Sequence, residues 1–184
     1  MVVWSVVLAV PVFLVLALAA AYNGLVRQRQ EVKSAWSQID VQLKRRHDLI
    51  PNLVEAVKGY MGHERQTLEN VIKARTQAVG AVNVKDRAEA ENLLTQTLRS
   101  LFAVVERYPD LKANQNVLAL QEELTSTENR ISFARQFYND QVKQLNTAVE
   151  SVPTNIVAGL TGFTKSEFFE LEDPASREAP KVSF

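Results

Sequence analysis

From Val2 to Tyr22 the chain carries no charged side chain, and the first charge of any kind is Arg27. No other feature constrains the fold as tightly. Twenty-one residues in a helix that rises roughly 1.5 Å per residue span about 31 Å, the thickness of a bilayer's hydrocarbon core. The run therefore predicts a single membrane-spanning helix. Trp4 and Tyr22 stand near its ends, where amphipathic rings favour the interface, and Pro11 is tolerated inside such a span. A cleaved signal peptide is the competing reading, because Ala17-Leu18-Ala19 resembles a small-x-small cleavage site. Against it, no Lys or Arg precedes the apolar run, and that run is long for a signal core. Arg27, Arg29 and Lys33 follow the span, so the retention of positive charge predicts an outside N-terminus and a cytoplasmic body.

Beyond the span about 160 residues remain, enough for one domain with a real core. There are no cysteines, which removes disulfides, thiolate metal sites and cysteine nucleophiles. Lys plus Arg and Asp plus Glu both number 21, so the chain has no overall field for nucleic acid, and none is expected as a partner. Six glycines, none in a phosphate-binding loop, argue against nucleotide motifs and favour helices.

Apolar residues then recur at helical spacing. Leu25, Val32, Trp36, Ile39 and Leu43 form one set, and Ile50, Val54, Val57 and Met61 a second. Between them, Asp48 and Pro51 read as the cap and first turn of a new helix, which predicts a break. A kinked continuous helix is the alternative, since the stripe runs through Pro51 almost in phase. The second helix passes through Leu68, Val71, Ile72 and Ala78 and stops at Gly80. Asp86 with Glu89 resembles a capping box opening a third, with Ala90, Leu94, Leu98, Leu101 and Val105 on its face. Tyr108-Pro109-Asp110 ends it. A fourth runs from near Asn114 to Val149 along Val117, Leu120, Leu124, Ile131, Ala134, Tyr138, Leu145 and Ala148. Four amphipathic helices joined by short turns can bury their stripes only against one another. The expected fold is all-α: an N-terminal transmembrane helix at 1–23, an antiparallel up-and-down four-helix bundle at 24–150 with coiled-coil-like stripes, and a tail at 151–184.

The tail holds Phe163, Phe168, Phe169 and Phe184, four of the chain's eight phenylalanines. Disordered tails are poor in aromatics, so these rings are expected to dock the tail on the bundle; a strip for a partner or a membrane interface is the alternative. Trp36 and Tyr60 are read as core residues.

Catalytic chemistry finds no foothold. His47 and His63 are the only histidines, and neither follows a glutamate by three residues, as a di-metal carboxylate bundle requires. His63-Glu64 has Thr67 where a zinc hydrolase needs its second histidine, and no Gly-x-Ser-x-Gly elbow is present. The expectation is a protein that is not an enzyme and has no cofactor or metal. The candidate functional patch is Lys44, Arg45, Arg46 and His47. Its bland reading is a set of cations near a helix C-terminus, paired with neighbours such as Asp40 or Asp48. Its sharp reading is an anion or protein-docking patch. Residues 23–80 carry ten Lys or Arg against six Asp or Glu, and residues 114–184 six against ten, so a neutral chain is polarised. Glu128-Asn129-Arg130 and Arg135 are candidates for buried polar partners of the first helices, with a solvated face as the other reading.

One stretch, Ala35 to Tyr60, resembles the signature region of the LemA family of bacterial membrane-anchored helical proteins. The matching residues begin at Tyr22-Asn23 and Leu25-Val26 and continue through Ala35-Trp36-Ser37-Gln38-Ile39-Asp40-Val41-Gln42-Leu43. Lys44 to Glu55, Val57 to Tyr60, His63-Glu64, Arg107 to Asn114, Glu128 to Ile131, Ala134-Arg135, Phe137 to Asn139, Phe168 to Glu170 and Pro180 to Val182 with Phe184 also fit. The resemblance implies one membrane helix followed by a four-helix bundle, located by a single pass in the bacterial inner membrane. It implies no reaction and no catalytic residue. Span and bundle together point to a scaffold or adaptor that touches lipid through residues 2–22 and acts on a protein partner, with a homo-oligomer left open. A sensory or regulatory module that binds a small anionic ligand at the basic end is the alternative.

Overall fold

The computed structural model of the chain describes residues 2–170, with side chains described from Ala9 onward. The Trp4 ring, the Pro180–Phe184 match and the Phe184 ring lie outside these. Six helices occur among the described residues: α1 (Val2–Lys58), α2 (Arg65–Gly80), α3 (Val84–Val105), α4 (Pro109–Lys112), α5 (Gln115–Glu150) and α6 (Thr154–Thr161). There is no strand among them, and the all-α expectation holds.

The predicted break at Pro51 does not occur. α1 runs unbroken through it, and Asp48 is an exposed mid-helix residue, not a cap. Proline lacks the N–H that would bond the carbonyl four residues back, which here belongs to His47. That carbonyl instead accepts a hydrogen bond from Nε of Arg75 on α2, at 2.7 Å. A donor from another helix replaces the missing one, so the helix has less to gain by stopping.

The described chain forms two compact units, 2–39 with 134–167, and 40–133 with 168–170. In the first, the start of α1 stands out into its surroundings: every large apolar side chain from Val10 to Leu18 is exposed, Phe13 by 70%. α1 is the one described helix long and apolar enough to cross a membrane. Just past that segment Leu25 is buried with Val157, Ala158 and Phe163, flanked by Ala21, Val26, Ala148 and Val149. Tyr22 meets the Phe163 ring edge-on at 5.9 Å, and the Arg29 guanidinium lies 4.8 Å from its centroid. Gly162, at φ 75°, ends α6 in the left-handed conformation that glycine adopts without strain. The chain then runs back along α5. The amide of Asn146 holds Ser166 from both sides, donating to its carbonyl at 3.0 Å and accepting from its N–H at 2.8 Å. The Tyr138 hydroxyl donates to the Glu167 carbonyl at 2.9 Å, while its ring packs 5.4 Å from the half-buried Trp36.

In the second unit, α1 from Asp40 on, α2, α3, α4 and the first half of α5 contribute to one apolar core. Ile50, Leu53, Val57, Val71, Leu94, Leu101, Val117 and Leu124 belong to it. Phe169 is fully buried, whereas Phe168 is exposed. Several local expectations need correction. The cap of α3 is Asn83, whose side chain accepts from the Asp86 N–H at 2.7 Å and donates to the Asp86 carboxylate at 2.6 Å, so Asp86 is the partner in the box and not its first member. α2 ends on Gly80 as expected, but without a left-handed glycine. Ile72 faces solvent, and Tyr60 lies exposed in the turn after α1 instead of in the core. Asn114 caps α5, its Oδ1 accepting from the Asn116 and Val117 amides.

Candidate functional site

The four residues of the basic run do not form one surface. Lys44 is exposed, and the partly exposed Arg45 pairs with Glu123. Arg46 and His47 turn inward and are 1% and 7% exposed. Neither Asp40 nor Asp48 is their partner: Asp40 pairs with Arg87 at 2.7 Å.

Arg46 lies at the centre of a buried cluster. One guanidinium nitrogen donates to Glu91 and the other to Glu128, and the latter also reaches the Thr95 hydroxyl at 2.9 Å. Thr95 in turn donates to the second oxygen of Glu128 at 3.3 Å. The free oxygen of Glu91 meets Nε2 of His47 at 2.8 Å. Three helices are thereby joined: α1 through Arg46 and His47, α3 through Glu91 and Thr95, and α5 through Glu128.

Burying charge costs several kcal/mol per ion, and only close pairing and well-directed hydrogen bonds offset it. The planar fork of arginine presents separate nitrogens to the two carboxylates, where a lysine would offer both the same ammonium. For Glu91, burial pushes the carboxyl pKa up. The hydrogen bond to His47 and the charges of Arg46 and His47 outweigh it, and the group titrates below the usual range. Glu91 is an anion at neutral pH, committed to two cationic or donor neighbours.

The heptad register explains why a cation is buried here. Leu25, Val32, Ile39, Arg46 and Leu53 follow one another at intervals of seven, so Arg46 occupies an inward position of α1. Glu91 has the same status on α3, seven residues before Leu98 and fourteen before Val105. Glu91, Thr95 and Arg75 are the residues that reading by composition misses, and the seven-residue spacing was the signal available for the first. Glu128, among the candidates for buried polar partnership, does take that role.

The cluster resembles a clamp more than a reaction centre. Each carboxylate is engaged by Arg46, and among the described residues no group of three or more His, Asp or Glu could hold a metal ion. Surface concavities offer little more. One shallow groove is lined by Leu118, Gln121, Glu122, Thr125, Ser126 and Asn129 of α5. Another, between α2 and α3, is lined by Thr67, Asn70, Leu93, Gln96, Thr97 and Ser100. Neither contains a cation to attract an anionic ligand.

A family model described as the LemA family matches residues 35–184. The chain belongs to the LemA family. The match starts at Ala35, where the signature stretch begins, and it encloses Arg46, His47, Glu91 and Glu128. Among individual relatives, magnetosome protein MamQ 2 of Paramagnetospirillum magneticum is 27% identical over 92% of this chain and 71% of its own length. Protein LemA of Metamycoplasma hominis is 27% identical over 74% of this chain and 63% of its own. Magnetosome protein MamQ of Magnetospirillum gryphiswaldense is 24% identical over 84% and 66%. These relatives carry names from more than one setting, and none of the names states a reaction.

Proposed function

We propose that this protein is a membrane-anchored helical adaptor that works through protein contacts and not through catalysis. In this reading residues 2–22 cross a bacterial inner membrane once, the N-terminus lies outside, and the helical body is presented to the cytoplasm. The single observation that carries the proposal is how the side chains are used. The most reactive-looking cluster is consumed internally, with Arg46 and His47 buried, while large apolar side chains are left facing out. Phe133 on α5 is 74% exposed, and Ile72 and Val79, two turns apart on α2, are exposed as well. Aromatic side chains are enriched at protein interfaces, which makes Phe133 the residue to probe for a contact. The anionic-ligand reading loses support, because two of its four cations are unavailable and a third is paired with Glu123.

The test is photo-crosslinking in intact membranes from Phe133 and Lys44 positions, followed by identification of the adducts. A reproducible protein adduct from Phe133 is expected, and recovery of lipid alone would overturn the adaptor reading. Arg45→Glu is the companion variant, since Arg45 is partly exposed; Arg46→Glu is unsuitable, because it would set a third carboxylate against Glu91 and Glu128.

A further inference from the structure

The segment from Ser151 to Thr164 contains no charged residue, and it includes all of α6. Val157 and Ala158 on its inner face are buried. Its outer face is also apolar, and no described residue covers it: Ile156 and Leu160, one turn apart on α6, are 58% and 81% exposed, and Val152, one turn earlier, is 79% exposed. An eight-residue helix with apolar residues on both sides is poorly suited to water.

What covers that face is indicated by where α6 is fastened. Its inner residues pack with Ala21, Leu25 and Val26, the turns of α1 at which the uncharged segment gives way to the first arginines. Phe163, just after α6, meets Tyr22 edge-on and carries the Arg29 guanidinium on its face. In the reading in which residues 2–22 span the bilayer, on which this inference rests, Tyr22 and the following arginines mark the level of the headgroups. α6 is held at that same level by direct packing within one unit. Glu150 and Lys165, which flank the uncharged segment, pair with each other.

We infer that α6 is an interfacial helix: Val152, Ile156 and Leu160 insert into the headgroup and acyl boundary of the membrane that α1 crosses. Helices that lie in this plane bury their apolar face roughly 5–10 Å into the boundary. Arg29, exposed and seated over the Phe163 ring, and the exposed Arg27 two residues before it on α1 are suited to lipid phosphates. The anchor then has two parts, a span and a foot, and the foot fixes the tilt and rotation of α1 where the span alone leaves them free.

The absence of cysteine makes the test clean. Single variants of the full chain, Leu160→Cys, Leu14→Cys and Ser37→Cys, are labelled with an environment-sensitive fluorophore and reconstituted in nanodiscs of phosphatidylcholine and phosphatidylglycerol. Some discs carry lipids spin-labelled just below the headgroup, and others carry lipids spin-labelled near the end of the acyl chain. Leu160 and Ser37 are exposed, so neither substitution disturbs packing, and circular dichroism checks that. Quenching and a blue shift at positions 14 and 160, with neither at 37, are expected. Quenching at 14 but not at 160 overturns the interfacial helix and leaves the span standing, including the case where a second copy of the chain covers α6. No quenching at either position overturns both. Leu160→Lys and Ile156→Lys, read by the label at Ser37, add a second arm. Loss of the restricted anisotropy there is expected if α6 sets the helix orientation, and unchanged anisotropy counts against it.

Discussion

The two units fasten their helices by opposite means. The second uses charge: Arg46 is buried between Glu91 and Glu128, with His47 on the far side of Glu91. Where the chain returns along α5, the first relies on neutral groups: one amide grips Ser166 from both sides, and one tyrosine hydroxyl reaches the carbonyl next in line, while its Glu150–Lys165 pair lies exposed. A neutral bond lost in a half-buried place can be replaced by water at modest cost. A buried ion that loses its partner has no such recourse. The charged clamp is therefore expected to fail with the whole unit and the neutral clasp to fail locally.

The largest effect should follow from removing Arg46. Arg46→Met leaves the buried Glu91 and the partly exposed Glu128 without their cation, and the loss of stability is expected to be about 3–5 kcal/mol. Adding Glu91→Leu to that variant removes one orphaned charge as well and should recover part of the loss, since a buried ion pair replaced as a whole often costs little. Thermal unfolding of Arg46→Met, Glu91→Leu and the double variant by circular dichroism measures the difference. A double variant as unstable as the sum of its singles would mean that the two groups are not coupled and that the clamp is incidental.

The same contrast separates the units by pH. The folded carboxyl of Glu91 titrates below its unfolded value of 4.5, so its contribution is present above that value and is lost as pH falls through the lower folded one. The Tyr138 hydroxyl behaves in the opposite way. Burial, and then the charge of Glu167, raise its pKa above 10.0, so its bond is present below that value and is lost as pH rises. Denaturant midpoints followed from neutral to acid pH should fall more steeply for the natural chain than for Glu91→Gln, whose side chain does not titrate there. Equal slopes would remove Glu91 from the account.

A third variant tests how α1 survives its proline. Arg75→Ala leaves the His47 carbonyl without its 2.7 Å donor, at an expected cost of about 1–3 kcal/mol. Pro51→Ala restores the N–H of the helix ladder, and in that background the same arginine substitution should cost clearly less. A double-mutant cycle in urea reads the coupling, and additivity of the two changes would refute the substitution of one donor for another.

These residues also show where the sequence was legible. The stripes gave α5 nearly to the residue and the end of α2 at Gly80, because Val117, Leu124, Ile131 and Tyr138, or Leu68, Val71 and Ala78, bury apolar area at a helical period; the turn between Lys58 and Arg65, which falls inside the expected second helix, was not legible. Pro51 misled, because a proline costs a helix about 3 kcal/mol unless its orphaned carbonyl finds a donor, and that donor lies 28 residues along the chain. Arg46 misled for a related reason. Charge alone points to the surface, although the spacing from Ile39 to Leu53 turns position 46 inward, where a cation is tolerated only if it is paired. The exposed face of α6 was hidden in a segment read as tail, where eight residues are too few for a clear helical period.

The smallest effect, and the sharpest reading of the neutral clasp, belongs to Asn146. Asn146→Ala removes both bonds to Ser166 and should cost only about 1–2 kcal/mol, with little change in the melting of the second unit. Global stability is a poor probe of so local a loss; amide exchange at Ser166 is a good one, because its N–H is the donor in the 2.8 Å bond. In the alanine variant that amide should exchange much faster while Phe163 stays packed. Asn146→Asp sharpens the point further. It keeps the acceptor for the Ser166 N–H and loses only the donor to its carbonyl, so protection should largely return even though a carboxylate now faces a carbonyl oxygen. If Ser166 stays equally protected in the alanine variant, the returning chain is held by its rings, and the first unit shares less with the second than the contrast of amide and ion requires.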